Sequence, residues 1–141
     1  MTATSWEALD VSLTEASDEI APDGSQVRVL SRVPRGSMGH FTIPSHQIIR
    51  AVRHKTVDEI WFVLEGEGEM WREKDGQSSL TKIKPCDSLV IPVGVTFQVR
   101  SSSGSDLCVL GQTMPAWPNN DEAEYVDGPW KPTLIGEGRF F

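Results

Sequence analysis

Along the chain, apolar and polar residues alternate in short runs, and turn residues break the pattern at short intervals. Glu59-Ile-Trp-Phe-Val-Leu-Glu65, Ser88-Leu-Val-Ile91 and Thr96-Phe-Gln-Val-Arg-Ser101 are each too short for a helix and rich in β-branched and aromatic residues. Read this way, the chain predicts strands over Gln26–Val33, His40–Ile43, Ile48–His54, Glu59–Glu65, Gly68–Arg72, Leu80–Ile83, Ser88–Ile91, Thr96–Ser101 and Leu107–Thr113. Between them lie KDGQ at 74–77, KPCD at 84–87, PVG at 92–94 and SSGSD at 102–106. Turns spaced about every 8–12 residues point to an all-β sandwich or barrel. Helical pattern is confined to the opening SWEALD, where Ser5 is placed to cap one turn; an N-terminal arm packing along a neighbour is the other reading.

No repeat or linker divides the chain, so a single domain is expected: an N-terminal arm over 1–26, a barrel over 27–114 and a strap over 115–141. The strap, MPAWPNNDEAEYVDGPWKPT from Met114, holds four prolines and two tryptophans. Proline at that density rules out central strands and helix interiors. Trp117 and Trp130 are costly to leave in water, each able to bury on the order of 200 Å². They predict an extended segment pinned across the barrel. Leu134–Phe141 either pairs with a second subunit or frays.

Thirteen Lys and Arg against 20 Asp and Glu give a formal charge of −7, with no basic run. That excludes the electrostatic footprint of a nucleic-acid or anionic-membrane binder. No signal peptide and no membrane-length apolar stretch is visible, which predicts a cytoplasmic protein. Cys86 and Cys108 are too few for a disulfide framework and read as small core residues. The GEGEMWREKDGQ segment reads as a solvated hairpin turning at Asp75-Gly76.

The chemistry concentrates at AVRHKTVDEIWFVLEGEG, residues 51–68. Residues two apart on a strand share a face, so Arg50, Val52 and His54 point one way, and Glu59, Trp61 and Val63 lie together on the next strand. A turn through Lys55–Asp58 brings His54 beside Glu59. The block resembles the first motif of the cupins, G-x5-H-x-H-x3-4-E-x6-G, through His54, Glu59 and Gly66. After nineteen intervening residues, CDSLVIPVGVTFQVRS resembles the second motif, G-x5-P-x-G-x2-H-x3-N, with Pro92 and Gly94 in place. The resemblance implies a cupin β-barrel, a jelly-roll-like double-stranded β-helix with little helix. It also implies a site at the barrel mouth, where cupins bind metal through four ligands. Here the first histidine position is Val52, the second motif's histidine is Phe97, its leading glycine is Cys86 and its closing asparagine is Ser101. Only His54 and Glu59 remain.

Two ligands fall short of a catalytic zinc or iron site. The reading therefore favours no cofactor: a small organic metabolite, such as an organic acid, bound in the barrel and handled by His54 and Glu59 as acid and base, in isomerase, cyclase or lyase chemistry. Glu59 is expected to orient the imidazole and favour its protonated form. Arg50 would clamp a carboxylate, with Val52, Trp61, Phe97, His40 and Gln112 completing the ligand wall, joined by Trp71 and Phe62. Phe97 should lie against the His54 ring. Two alternatives stay open. One is a metal-dependent dioxygenase, lyase or isomerase in which His54 and Glu59 are joined by non-motif ligands such as His40 or Gln112 around Zn, Ni, Fe or Mn. The other is a binding or sensing module without turnover. A homodimer is expected, because a barrel of this size has sheet edges to cover.

Overall fold

A computed structural model describes residues 6–134 apart from 103 and 120. Within these described residues eleven strands form two antiparallel sheets: β1 (Glu19–Ile20), β2 (Gln26–Val33), β3 (Gly36–Ile43), β4 (Val52–His54), β5 (Asp58–Glu65), β6 (Gly68–Lys74), β7 (Gln77–Ile83), β8 (Ser88–Ile91), β9 (Thr96–Ser101), β10 (Leu107–Met114) and β11 (Ala123–Tyr125). One sheet runs β1-β2-β3-β10-β5-β8 and the other β11-β4-β9-β6-β7. The chain passes repeatedly from one sheet to the other, as in a jelly roll. Among the described residues the helical content is a single 3-10 turn at Glu7–Leu9; its expected cap, Ser5, lies outside them. Among the described residues no helix is long and apolar enough to cross a membrane.

The alternation seen in the sequence is the alternation of the fold. On β5, Glu59, Trp61 and Val63 are buried, while Asp58, Ile60, Phe62 and Leu64 face outward. The inward residues join Ile43, Ile49, Met70, Ile83, Ile91 and Leu107 in one core between the sheets. Burial of such side chains stabilises the fold by roughly 1.5–3 kcal/mol each. The closing glycine of the first motif stands where two backbone segments approach closely. Gly66 has φ +86, and a Cβ there would meet the Asp106 carbonyl oxygen at 2.2 Å. The hairpin joining β6 and β7 turns at Asp75 and Gly76, with φ of 53 and 78, the pair of positive values that a two-residue turn matched to strand twist needs.

Several elements differ from the sequence reading. The strand expected over Ile48–His54 shrinks to Val52–His54, because Ile48 and Ile49 bond outside any ladder, the latter to Val99. The proline-rich segment supplies β11, which pairs with β4 and sits at the edge of its sheet, where proline neighbours cost no ladder bonds. Cys86 is exposed at φ 73 in the turn before β8 rather than in the core; Cys108 is buried. Leu134 packs on the core cluster, and residues 135–141 lie outside the described residues. The arm before β1 lies on its own barrel, where Arg28 donates to the carbonyls of Thr14 and Glu15.

The strap is held at two points. Trp117 is buried against Val57, and its backbone N–H donates to Ser37 Oγ at 3.0 Å. Trp130 exchanges two backbone bonds with the buried Gln98 side chain, and the Arg100 guanidinium lies 4.1 Å from its ring centroid.

Candidate functional site

A cavity of about 670 Å³, counting its open mouth, lies between the sheets. His54 enters it from β4 and Glu59 from β5, so the two side chains come from opposite sheets although only four residues separate them. His54 Nδ1 lies 3.7 Å from Glu59 Oε1, and both side chains are about 95% buried. That separation is outside hydrogen-bond range, and Nδ1 has no hydrogen-bond partner among the described residues.

Four aromatic rings build the walls beside the pair. Phe97 meets the His54 imidazole edge-on at 5.4 Å between centroids, and Trp117 does so at 5.1 Å. Trp61 in turn meets Phe97 edge-on at 6.1 Å and lies parallel to Phe41 at 6.4 Å. Such pairs favour these geometries by about 0.5–1.5 kcal/mol each. Room for the Glu59 carboxyl comes from Gly111, which faces Trp61 across the β10–β5 ladder. A Cβ at Gly111 would stand 2.6 Å from the Phe41 ring and 2.7 Å from Glu59 Oε2.

Burial decides the charge of the pair. Desolvation pushes the Glu59 carboxyl up to about 8, the nearby Trp61 indole N–H offsets part of that, and the Asp23 carboxyl raises it further. The indole N–H sits near the carboxyl without meeting full hydrogen-bond geometry. Desolvation takes His54 down to about 4, only partly opposed by the Glu122 carboxylate. At neutral pH the site therefore holds a neutral carboxylic acid beside a neutral imidazole. The two atoms are near enough for an ion pair, but with no direct hydrogen bond an ionised pair would not offset its desolvation. This corrects the expectation of a protonated imidazole held by a carboxylate.

Two further carboxyls flank the pair. Asp23 lines the cavity from the turn between β1 and β2 and is raised by burial, against hydrogen bonds from the Ser25 N–H and hydroxyl. Glu122 lies behind His54. Burial pushes it up, but the Thr56 hydroxyl and the Thr56 and Val57 N–H groups outweigh this and hold it ionised, locking the 55–57 turn that joins β4 to β5.

Val52, Trp61 and Phe97 line the cavity with His54 and Glu59. Arg50 does not: β4 starts two residues later, and the guanidinium stacks on the Tyr125 ring at 3.4 Å. His40 and Gln112 stand on the outer face of the six-stranded sheet, one residue out of phase with the lining residues Gly39, Phe41, Gly111 and Thr113. His40 is buried there, its imidazole held below the usual range by desolvation and by Arg28. Trp71 and Phe62 also lie off the cavity wall. The sequence reading missed Asp23, Arg32, Phe41, Gly111 and Trp117 as lining residues. Asp23 sits in a Pro22-Asp23-Gly24 stretch whose composition signals only a turn, and Trp117 reads only as an anchor; the others carry no signal.

The donor set bears on the metal that the cupin resemblance implies. His54 and Glu59 offer two donors, Val52 and Phe97 offer none, and among the described residues no three His, Cys, Asp or Glu side chains gather to hold an ion. These residues do not fit a resident catalytic zinc or non-haem iron, which takes at least three protein ligands.

No family model matches the chain, and no curated protein matches it in sequence. Solved structures do. KdgF from Halomonas sp. superposes with a TM-score of 0.61 at 18% identity, over 72% of this chain and 88% of that one. Streptomyces Pac13 in complex with uridine superposes with a TM-score of 0.64 at 13% identity, over 88% and 91%, and Pac13 is described as a nucleoside dehydratase. The cupin domain of Schizosaccharomyces pombe Cnp3 gives 0.59 at 12% identity, over 64% of each chain. At these identities the likeness speaks to architecture alone. Two antiparallel sheets, a site at the first-motif positions and these neighbours together make the chain a cupin-fold protein.

Proposed function

We propose that the cavity binds a small organic metabolite and moves protons on it without a metal, with Glu59 as general acid and His54 as general base. The observation that carries this reading is the 3.7 Å gap between two buried groups that are both neutral at pH 7 and have no direct bond to each other. A carboxylic acid with a pKa of about 8 holds a proton to give, and an imidazole with a pKa of about 4 has a free lone pair to receive one. A substrate reaching into the gap would meet both at once.

Two reactions suit that arrangement. His54 takes a proton from carbon while Glu59 protonates either a departing hydroxyl, which is elimination, or a carbonyl oxygen, which is isomerisation through an enol. Each leaves the imidazole protonated and the carboxyl ionised. The apolar walls make that state costly, so the protons return readily in the next step. Pac13, a nucleoside dehydratase on the same fold, supports the reading by analogy of architecture.

The test is solvent deuterium incorporation. Chelator-treated protein is incubated in D₂O with a panel of small hydroxy and oxo metabolites, carboxylates and their amides included, and followed by NMR. We expect incorporation that His54→Gln and Glu59→Gln each abolish. Exchange that survives both substitutions, or that depends on an added divalent metal, overturns the proposal.

A further inference from the structure

The cavity has one permanently charged cation in its lining, Arg32, and β2 has to break its own alternation to put it there. Val27 is fully buried and Val29 lines the cavity, so unbroken alternation would send Ser31 and Val33 inward and Arg32 outward. Instead the pairing of β2 with β3 slips. Val29 stands opposite Gly39 but Arg32 stands opposite Ser37, so Leu30 and Ser31 together face the single residue Met38. This β-bulge reverses the parity of the strand: Arg32 lines the cavity, and Val33 is left 59% exposed. The bulge leaves both Arg32 and Val33 exposed, with Arg32 at the cavity rim, so packing gains nothing from it. Bulges commonly re-aim one side chain beside a binding site.

Arg32 has little to hold it internally. Nη2 donates to the Trp117 carbonyl at 3.3 Å, and no carboxylate among the described residues lies within ion-pair distance. A guanidinium carries five donors, and a single long bond to a carbonyl leaves most of them available at the cavity mouth. That bond does tie the group to the strap segment beside the Trp117 ring, restricting where it can swing.

We infer that Arg32 is the anion-recognising residue of this cavity, and that the molecule it takes is a small organic carboxylate. The inference rests on the proposed reading of the cavity and gives it a substrate class. A carboxylate matches the planar fork of the guanidinium. Held there, it leaves the rest of the molecule to pass the Trp117 and Phe41 rings toward His54 and Glu59. The cavity also contains the carboxyls of Asp23 and Glu59, and one guanidinium neutralises one negative charge. A monoanion is therefore accommodated, whereas the second charge of a phosphate ester would stand unneutralised beside two acids. The clamp that the sequence assigned to Arg50 thus belongs to Arg32, and only the bulge reveals it.

Three probes that differ in one group test this: benzoate, benzamide and phenyl phosphate, titrated by calorimetry and by the fluorescence of the cavity tryptophans. In the wild type we expect benzoate to bind at least about tenfold more tightly than benzamide, the difference of one good charge-assisted contact. Arg32→Gln should abolish that preference, and Arg32→Lys should retain part of it. Equal affinities in the wild type, or a preference that survives Arg32→Gln, overturn the inference and leave the cavity reading intact. Phenyl phosphate binding tenfold more tightly than benzoate overturns the carboxylate assignment. Failure of all three probes to bind overturns the inference and the cavity reading together. Because Arg32 is exposed, unchanged circular dichroism of the Gln variant distinguishes lost recognition from lost folding.

Discussion

His54 Nδ1 and Glu59 Oε1 face each other at 3.7 Å from opposite sheets, buried, uncharged at neutral pH and with no direct hydrogen bond. The turn between them is held by Glu122, which accepts from the Thr56 N–H and hydroxyl and from the Val57 N–H. The gap is thus a feature of a fixed scaffold rather than of two loose side chains.

Stability should depend on pH through this pair, in opposite directions. Glu59 is raised from 4.5 to about 8, so the folded state holds a proton that the unfolded state releases; its contribution is complete below about 4.5 and is lost as pH rises toward 8. His54 is lowered from 6.5 to about 4, so its contribution is present above 6.5 and is lost as pH falls toward 4. Between 4.5 and 6.5 the two slopes offset. Between 6.5 and 8 Glu59 acts alone, and denaturant melts should show stability falling by up to about 1.4 kcal/mol per pH unit. Glu59→Gln should flatten that limb; an unchanged slope in the variant would show that Glu59 does not carry the proton.

Activity, once a substrate is in hand, should hold between the two values, about 4 and about 8. Asp23 raises Glu59 from across the cavity. Asp23→Asn keeps the side-chain oxygen for Ser25 and removes the charge, so the alkaline limb of kcat/KM should move to lower pH. A limb that stays in place would show that Asp23 does not act on Glu59.

Gly111→Ala should empty the site of function while sparing the fold. The added methyl stands 2.6–2.7 Å from the Phe41 ring and Glu59 Oε2, so one of them has to move. We expect about 1–3 kcal/mol of destabilisation and a loss of probe binding well beyond that of a core alanine variant of equal stability. Binding that tracks stability alone would contradict the role of this glycine in seating Glu59.

Restoring the missing donors should create a metal site. Val52 and Phe97 are directly paired on β4 and β9 and both line the cavity. The double variant Val52→His, Phe97→His should take up about one divalent ion per chain after chelator treatment, measured by elemental analysis, while the wild type retains none. A wild type that keeps one ion through His54 and Glu59 would reverse this.

The outer face of β5 carries Ile60, Phe62 and Leu64 at 39–42% exposure, with Val90 at 51% paired beside Ile60 on β8. Contiguous apolar side chains on a sheet face favour a partner surface. We therefore propose that the homodimer expected from sheet edges forms through this face. Light scattering should give about twice 15.6 kDa at tens of micromolar, and Phe62→Ser with Val90→Ser should bring it to the monomer mass. A wild-type mass near that of one chain would exclude it.

What the sequence settled by itself is what neighbours along the chain control. Side-chain alternation on β5, β8 and β9 is a property of consecutive residues, so those strands and the inward set Trp61, Val63, Leu89, Ile91, Phe97 and Val99 were readable before any fold. The motif spacing likewise paired His54 with Glu59, because a short turn between two strands leaves little choice of partner. The tertiary structure alone decided everything that depends on distant contacts. Burial is a sum over the whole barrel, and that sum neutralised the pair that sequence reasoning had ionised. Asp23 and Trp117 reach the cavity from segments 94 residues apart, brought there by separate crossings. Arg32 reaches the cavity mouth and Arg50 does not, because a bulge reverses the parity of the first and a late strand start leaves the second outside the strand. Parity propagates along a strand only while its register holds, and register is set by the partner strand rather than by the strand's own sequence.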